Sequence, residues 1–417
     1  MHTSKCFVGL SLVLLPLLST TFNAASVNAA TLTQEDSTVH TSHSPSETQS
    51  TDQFSQAVQL AEKGRTEEAF QIAKEARQLA KPDRFVSVNY VNTLVTIADQ
   101  KDESHDVKIL NEAIQEINQV KAAKVATGER DPEVAYHTMV ATGRLAETLM
   151  PRSEQVASSL MIEEGAIAKK LKDNPKYPKQ SLASLATPVY HQAIAYAIKE
   201  KPEDAFRCLD EAFDLGFVQF DEVLSNEHLA RLSDQKRLAK VTHDAESSYM
   251  MKAEIWSRGV LAEFKPFPFN LNVSGLNQGR LKSEDFLGKV LIVDLWATWC
   301  PPCREALPHF VELAEQFDGE GVQVVGVSMD NPEDPASARE AVSAVQKEQK
   351  LNFPIGLGDN AVTDQLPGQQ LLPTTVFVDR AGNVRYIATG VQDIYRLSAI
   401  AKTLSDESEA ISVQRDD

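Results

Sequence analysis

Apolar and polar positions are arranged in three different ways along this chain. Near the start an unbroken apolar run from Phe7 to Leu18 follows Lys5 and gives way to small residues. From Gln53 to about Ser248 apolar residues recur at helical spacing, Ala is frequent, and no alternating strand pattern of any length occurs. That periodicity predicts an all-helical (all-α) domain over 53–248. Beyond Trp256 the period changes. "FPFNLNVSGLNQGRLKSEDFLGK" sets turn residues between short apolar runs, as a leading hairpin would. "KVLIVDLWATW" is a continuous apolar run that predicts a strand buried on both faces. "CREALPHFVELAEQF" predicts an amphipathic helix, "VQVVGVSMD" a second buried strand and "DPASAREAVSAVQKEQK" a helix. "PTTVFVDRAGNVRYIATG" predicts two strands joined at Ala381-Gly382-Asn383, and "DIYRLSAIAKTLS" a closing helix. Strand, helix, strand, helix, hairpin, helix is an α/β order, and it predicts a mixed sheet covered by helices over 260–410.

A chain of 417 residues suits two or three domains. The apolar run near the start is too short to span a bilayer. With Lys5 before it and Val27-Asn28-Ala29 placing small residues at −3 and −1, it reads as a secretory signal peptide over 1–29, with an uncleaved anchor as the competing reading. The protein is therefore expected to be exported, periplasmic or extracellular. Residues 30–52 are rich in Ser, Thr, Gln and His and nearly devoid of large apolar groups, which predicts a flexible spacer. The composition is 42% hydrophobic and 24% charged, with a formal net charge of −18. There is no basic stripe for a phosphate backbone, so nucleic acid is not an expected partner. Cys6 would leave with the signal peptide, and Cys208, Cys300 and Cys303 would remain. Three cysteines in a large exported protein make one close pair and one odd residue, not a disulfide framework.

Two stretches of the helical region resemble tetratricopeptide repeat units. In "LAEKGRTEEAFQIAKEARQLAKPD", Gly64, Ala69 and Ala76 sit where such units place small residues, and Pro82 ends the second helix. In "YHQAIAYAIKEKPEDAFRCLDEAFDLGF", Ala193, Tyr196, Ala205 and Ala212 fit the same template. Ala69 and Ala205 lie 136 positions apart, four periods of about 34 residues, yet the chain between them lacks the pattern. The expectation is TPR-like helical pairs and not a clean array, with an irregular bundle as the alternative. Cys208 falls on a helix of the second unit with no cysteine near it in sequence, and it reads as a small buried hydrophobe.

The chemistry concentrates in "WATWCPPCREALP", residues 296–308. The strand ends at about Trp299 and the helix begins at once, so Cys300 sits at a helix N-terminus. There the unpaired N–H groups and the positive end of the macrodipole stabilise a thiolate, lowering the pKa from ~8.5 by one to several units. Pro301 and Pro302 suit the first helical turn and remove two donors, leaving the N–H of Cys303 as the nearest one for the Cys300 sulfur. Positions three apart share a helix face, so the two sulfurs can close a bond, with Cys303 the more buried. A structural zinc site wants four ligands, and the local sequence adds only His309. Haem attachment needs His directly after the second Cys, where Arg304 stands. A peroxiredoxin would carry Thr three residues before its cysteine, where Ala297 stands. Metal and dissociable cofactors are not expected.

The segment from about Phe264 to Thr403 resembles the TlpA/ResA-like group of exported thioredoxin-fold thiol-disulfide oxidoreductases. The matching residues are "GKVLIVDLWATWCPPCREALP", "VVGVSMD" and "LLPTTVFVDRAGNV", about a third of the chain. The resemblance implies a redox disulfide Cys300–Cys303, with Cys300 attacking and Cys303 resolving. It implies a cis Pro373 beside that pair and Leu372 offering backbone groups to a substrate strand. Trp299, Pro301 and Pro302 would flank the groove, while Trp296 belongs to the core. Asp294, six residues before Cys300, matches the buried acid of thioredoxins and would relay a proton to or from Cys303. Many members carry Glu three residues past the second Cys; here that position is Ala306, with Glu305 displaced by one, which leaves Asp294 as the proton carrier. The function implied is reduction of protein disulfides, served by a membrane or periplasmic redox partner, with the helical domain binding proteins. A disulfide-forming oxidase, an isomerase, or a binding scaffold with a vestigial thioredoxin domain are the competing readings.

Overall fold

The computed structural model describes residues 45–79, 84–100, 106–122, 132–277, 279–330, 333–368 and 371–413. The expected signal peptide, Cys6, Pro82 and the spacer up to residue 44 lie outside these. Two compact units are separated between Tyr249 and Met250.

Among its described residues the first unit has helices and no strand. Its helices are α1 (Pro45–Glu62), α2 (Thr66–Leu79), α3 (Arg84–Asp99), α4 (Asp106–Ala122), α5 (Pro132–Leu149), α6 (Glu154–Lys172), α7 (Ala186–Ile198), α8 (Pro202–Leu215) and α9 (Phe220–Ser225), followed by the start of α10 (Gln235–Glu263). Consecutive helices pack on one another from α1 to α8. Small residues carry that packing: Ala57, Ala69, Ala73, Ala76, Ala193, Ala205 and Ala212 are fully buried in one continuous core, and Cys208 is buried there as a free thiol. Gly64 makes the α1–α2 turn at φ 76°, donating to Ala61 O while Arg65 N reaches back to Leu60 O, a helix stop that a left-handed glycine permits.

The spacer expected over 30–52 is corrected at its end, because α1 already begins at Pro45. Composition alone misses this. The first turns of α1 are held by tertiary contact, with Ser50 buried and its Oγ donating to Ala76 O of α2 at 3.0 Å.

In the middle of this unit a charged side chain is buried with its counter-ion. His191 of α7 places Nδ1 3.0 Å from Glu164 Oε2 of α6 and Nε2 3.5 Å from Glu147 Oε1 of α5. Burial disfavours the imidazolium, but the Glu164 carboxylate overrides it and holds His191 up at about 9. A folded-state value raised above the ordinary 6.5 contributes stability that is complete below pH 6.5 and lost as pH rises through 9. Urea unfolding between pH 6 and pH 9.5 should therefore show a loss on the order of 1–3 kcal/mol that His191→Gln abolishes. A variant with the same slope as the wild type would remove the pair from the account.

The second unit begins at Met250, inside α10, and not at 260 as expected. Trp256 packs edge-on against Tyr386 at 5.8 Å, Ser257 Oγ lies 2.8 Å from Thr403 Oγ1, and Leu261 is buried in the core. The sheet comprises β1 (Phe267–Pro268), β2 (Asn272–Gly275), β3 (Arg280–Lys282), β4 (Val290–Trp296), β5 (Val322–Ser328), β6 (Ile355–Leu357), β7 (Thr374–Val378) and β8 (Asn383–Thr389). Their order is β1-β8-β7-β4-β5-β6-β2-β3. β4–β5 and β5–β6 are parallel, the other pairings antiparallel, so the mixed sheet expected from sequence is the one observed. The helices α11 (Pro301–Gln316), α12 (Pro335–Glu348), α13 (Asn360–Thr363) and α14 (Ile394–Val413) complete the unit. Strand β6 is an addition to the expected order.

β4 is central, and all seven of its residues are buried. Its side chains alternate between two cores. Val290, Ile292 and Trp296 join Cys300, Cys303, Leu307 and Phe310 together with Leu397, Ile400 and Leu404 of α14. Leu291, Val293 and Leu295 join Phe269, Val362 and Leu366 on the other face.

Candidate active site

The approach to the site is a turn. β4 ends at Trp296, Cys300 N donates to Ala297 O at 3.2 Å, and α11 starts at Pro301. Cys300 is the N-cap residue in an extended conformation, and its Sγ accepts from Cys303 N at 3.3 Å. Pro301 and Pro302 occupy the first two helical positions, where their missing N–H groups cost nothing. Cys300 and Cys303 are joined as a disulfide with Cα atoms 5.3 Å apart. Cys300 keeps 5% exposure and Cys303 none, so the second sulfur is fully enclosed and Cys300 is the residue of the pair that reaches the surface. Beside them Trp299 is 68% exposed, an unusual position for so large an apolar side chain.

Just before the neighbouring strand β7 the Leu372–Pro373 peptide is cis. Gly390 N donates to Pro373 O at 2.8 Å, and Thr374 Oγ1 donates to Leu371 O at 2.6 Å, which fixes this segment at both ends. Leu371 is exposed, and half-buried Leu372 packs against both cores, including the one that holds the two cysteines.

Asp294 is fully buried, with both carboxyl oxygens lacking a hydrogen-bond partner. It pairs with Gly326 of β5 on one side and Thr375 of β7 on the other. By strand alternation it shares the face of Ile292 and Trp296, the face turned to α11 and the disulfide. Burial alone drives its carboxyl well above the ordinary value of 3.8. An acid of that kind is matched to proton exchange with a thiol.

One residue of the site escapes sequence reasoning. Asp330, at the end of "VVGVSMD", is buried two residues past β5 and accepts three hydrogen bonds. Thr298 N and Ser328 Oγ donate to its Oδ2 at 3.0 and 2.7 Å, and Thr298 Oγ1 donates to its Oδ1 at 2.5 Å. The available signal was an acidic residue just beyond the carboxyl end of a parallel strand, where sites of open α/β sheets gather. Among the described residues no group of three or more His, Cys, Asp or Glu is placed to hold a metal ion. His309 lies with Nδ1 2.9 Å from Gln392 O.

The buried disulfide at a helix N-terminus, an exposed Trp beside it and a cis-proline strand end define the unit. Residues 265–387 match the AhpC/TSA family. The ResA thiol-disulfide oxidoreductase of Oceanobacillus iheyensis is 27% identical over 132 residues, 32% of this chain and 66% of that protein. ResA of Bacillus subtilis is 30% identical over 122 residues, 29% of this chain and 64% of that protein. The chain thus spans under two thirds of the length of these relatives. Among solved structures, a thioredoxin-family thiol:disulfide interchange protein from Chlorobium tepidum TLS is 23% identical, covering 34% of this chain and 98% of that one with a TM-score of 0.31. A thiol-disulfide isomerase from Corynebacterium glutamicum is 23% identical, covering 33% and 95%, with a TM-score of 0.29. Residues 265–387 are thus similar to the AhpC/TSA family, and about a third of the chain is similar to ResA thiol-disulfide oxidoreductases. The AhpC/TSA match, residues 265–387, lies within the second unit.

Proposed function

We propose that the protein is an exported thiol-disulfide oxidoreductase that reduces protein disulfides through Cys300 and Cys303. The observation that carries this reading is the Cys300–Cys303 disulfide itself, set at the start of α11 with the first cysteine at the surface edge of the core and the second enclosed. In the reduced protein the Cys300 thiolate attacks one sulfur of a substrate disulfide. A mixed disulfide forms and one substrate thiolate leaves. Cys303 then gives its proton to Asp294 and attacks Cys300 Sγ, closing the internal disulfide and releasing the second substrate thiolate. Two electrons pass from the dithiol to the substrate, and an external dithiol donor restores the pair. Trp299, Pro301, Pro302 and Leu372 form the rim on which a substrate strand would lie, and Pro373 shapes it. The helical unit serves as a protein-binding module built from TPR-like pairs, with paired helices offering an extended surface.

Titration of the pair against glutathione tests the direction. A reducing potential, near or below about −270 mV, supports the reductase. A value near about −120 mV would assign a disulfide-forming oxidase instead. Separability is tested by a fragment from Met250 to Val413, which keeps Trp256, Ser257 and Leu261 in their packing. It should reduce insulin within about threefold of the full chain, whereas a start at Ala262 should lose stability because it discards those contacts. A folded Met250 fragment without activity would count against the division of labour.

A further inference from the structure

We propose that Asp330 is the positioning residue that holds the turn before Cys300, and with it the exposed Trp299, in place for a protein substrate. The inference rests on the dithiol reading above and deepens it. The turn is short, and between the buried Ala297 and Cys300 its two residues Thr298 and Trp299 stand out of the core. Trp296 is buried, Ala297 accepts from Cys300 N, and Trp299 projects outward. Between them Thr298 is bound twice by one carboxyl, through its N–H to Asp330 Oδ2 and through its hydroxyl to Asp330 Oδ1. The carboxyl is itself fastened to the neighbouring strand. Ser328 Oγ donates to Asp330 Oδ2 at 2.7 Å and accepts from Asp330 N at 3.2 Å, while Met329 N donates to Trp296 O at 2.7 Å. Ser328 and Trp296 are direct partners in the parallel β4–β5 register. A rigid strand end thus reaches across 32 residues to clamp the residue immediately before Trp299.

Without the clamp, the amide and hydroxyl of half-buried Thr298 and the hydroxyl of buried Ser328 lose their acceptor, so the turn shifts to find water. Cys300 stays at the helix start, because α11 defines that place. What shifts is Trp299 and the approach beside the sulfur. A bulky protein disulfide needs that surface; a small disulfide needs only the sulfur. Displacements of about 1 Å near a reacting group cost on the order of 10²-fold in rate.

The test compares wild type, Asp330→Ala, Asp330→Asn and Thr298→Val in the full chain. Asp330→Ala should lower kcat for insulin by about 10- to 100-fold while lowering the rate with glutathione disulfide by no more than about threefold. Asp330→Asn keeps a carbonyl oxygen for Thr298 N and Ser328 Oγ, and should recover insulin reduction to within about threefold of wild type. Thr298→Val removes only the hydroxyl bond and should fall between them, which keeps the proposal testable if Asp330→Ala does not fold. Equal losses on both disulfides, or none, would overturn it. Amide hydrogen exchange supplies a readout independent of activity: the Thr298 and Cys300 N–H groups should exchange about tenfold or more faster in Asp330→Ala, or in Thr298→Val if the Ala variant does not fold, and be restored in Asp330→Asn. Unchanged exchange overturns the proposal even if the protein reduces nothing. Inactivity of the wild type on both disulfides, with exchange altered as stated, would overturn the dithiol function and leave the clamp standing.

Discussion

Cys303→Ser is expected to accumulate as a mixed disulfide with its protein substrates, and Cys300→Ser to accumulate none, with disulfide reduction abolished in both. The asymmetry follows from where α11 puts the two sulfurs. Cys300 is the N-cap, with 5% exposure, and its Sγ accepts the N–H of Cys303 at 3.3 Å; Pro301 and Pro302 withhold the donors that would otherwise compete for it. Cys303 is one turn inside the helix and wholly enclosed by Leu307, Phe310 and their neighbours. A thiolate at the helix N-terminus is stabilised by that N–H and by the macrodipole, so the nucleophile should exist below the pH at which an ordinary thiol ionises. Iodoacetamide should accordingly label Cys300 of the reduced protein well below pH 8, with Cys303 at least about tenfold slower. Denaturing gels without reductant would show the trapped adducts. Equal labelling of the two thiols, or adducts on Cys300→Ser, would reverse the assignment.

Asp294→Asn should slow the second half of the reaction and leave the first half intact. The carboxyl stands on the disulfide face of β4 with neither oxygen hydrogen-bonded, and burial drives its proton affinity up. Cys303, sealed from water, needs an acceptor for its proton before it can attack Cys300, and loss of a positioned base costs about 10²–10⁴ in rate. Single-turnover decay of the mixed disulfide should therefore fall near neutral pH in the variant and recover as pH rises and Cys303 ionises unaided. Superimposable profiles would return Asp294 to a purely structural role.

Stability should move the other way. A carboxyl whose folded value lies above its ordinary 3.8 contributes stability that is complete below that value and lost as pH rises through the folded one. Wild-type stability should thus decline upward from about pH 4, and Asp294→Asn should be flat there and at least as stable at neutral pH.

Local pattern determines much of this protein. The helical period from Gln53 onward, the apolar run that becomes β4, and the Cys-Pro-Pro-Cys step into α11 are readable because each depends on neighbours a few residues away. The hairpin of β7 and β8 is marked in the same local way, by Gly382 at its turn with φ 85°. Both cysteines and Asp294 are legible for that reason, since a close thiol pair and a charge inside an apolar run are anomalies within one short stretch.

Other features exist only through partners distant in the chain. β6 is three residues long beside Pro354 and Gly358, too short to show a period, and it forms because β5 and β2 supply its hydrogen bonds on either side. The start of α1 is helical because Ser50 meets the backbone of α2. The division within α10 has no local mark, since one unbroken 29-residue helix gives its first turns to one core and its last to another. Asp330 reads as an ordinary polar residue after a strand until parallel pairing of β4 with β5 brings its carboxyl to Thr298. Periodicity encodes which face of an element is apolar, whereas the meeting of two polar groups 32 residues apart is set by strand order and register, which only the folded sheet supplies.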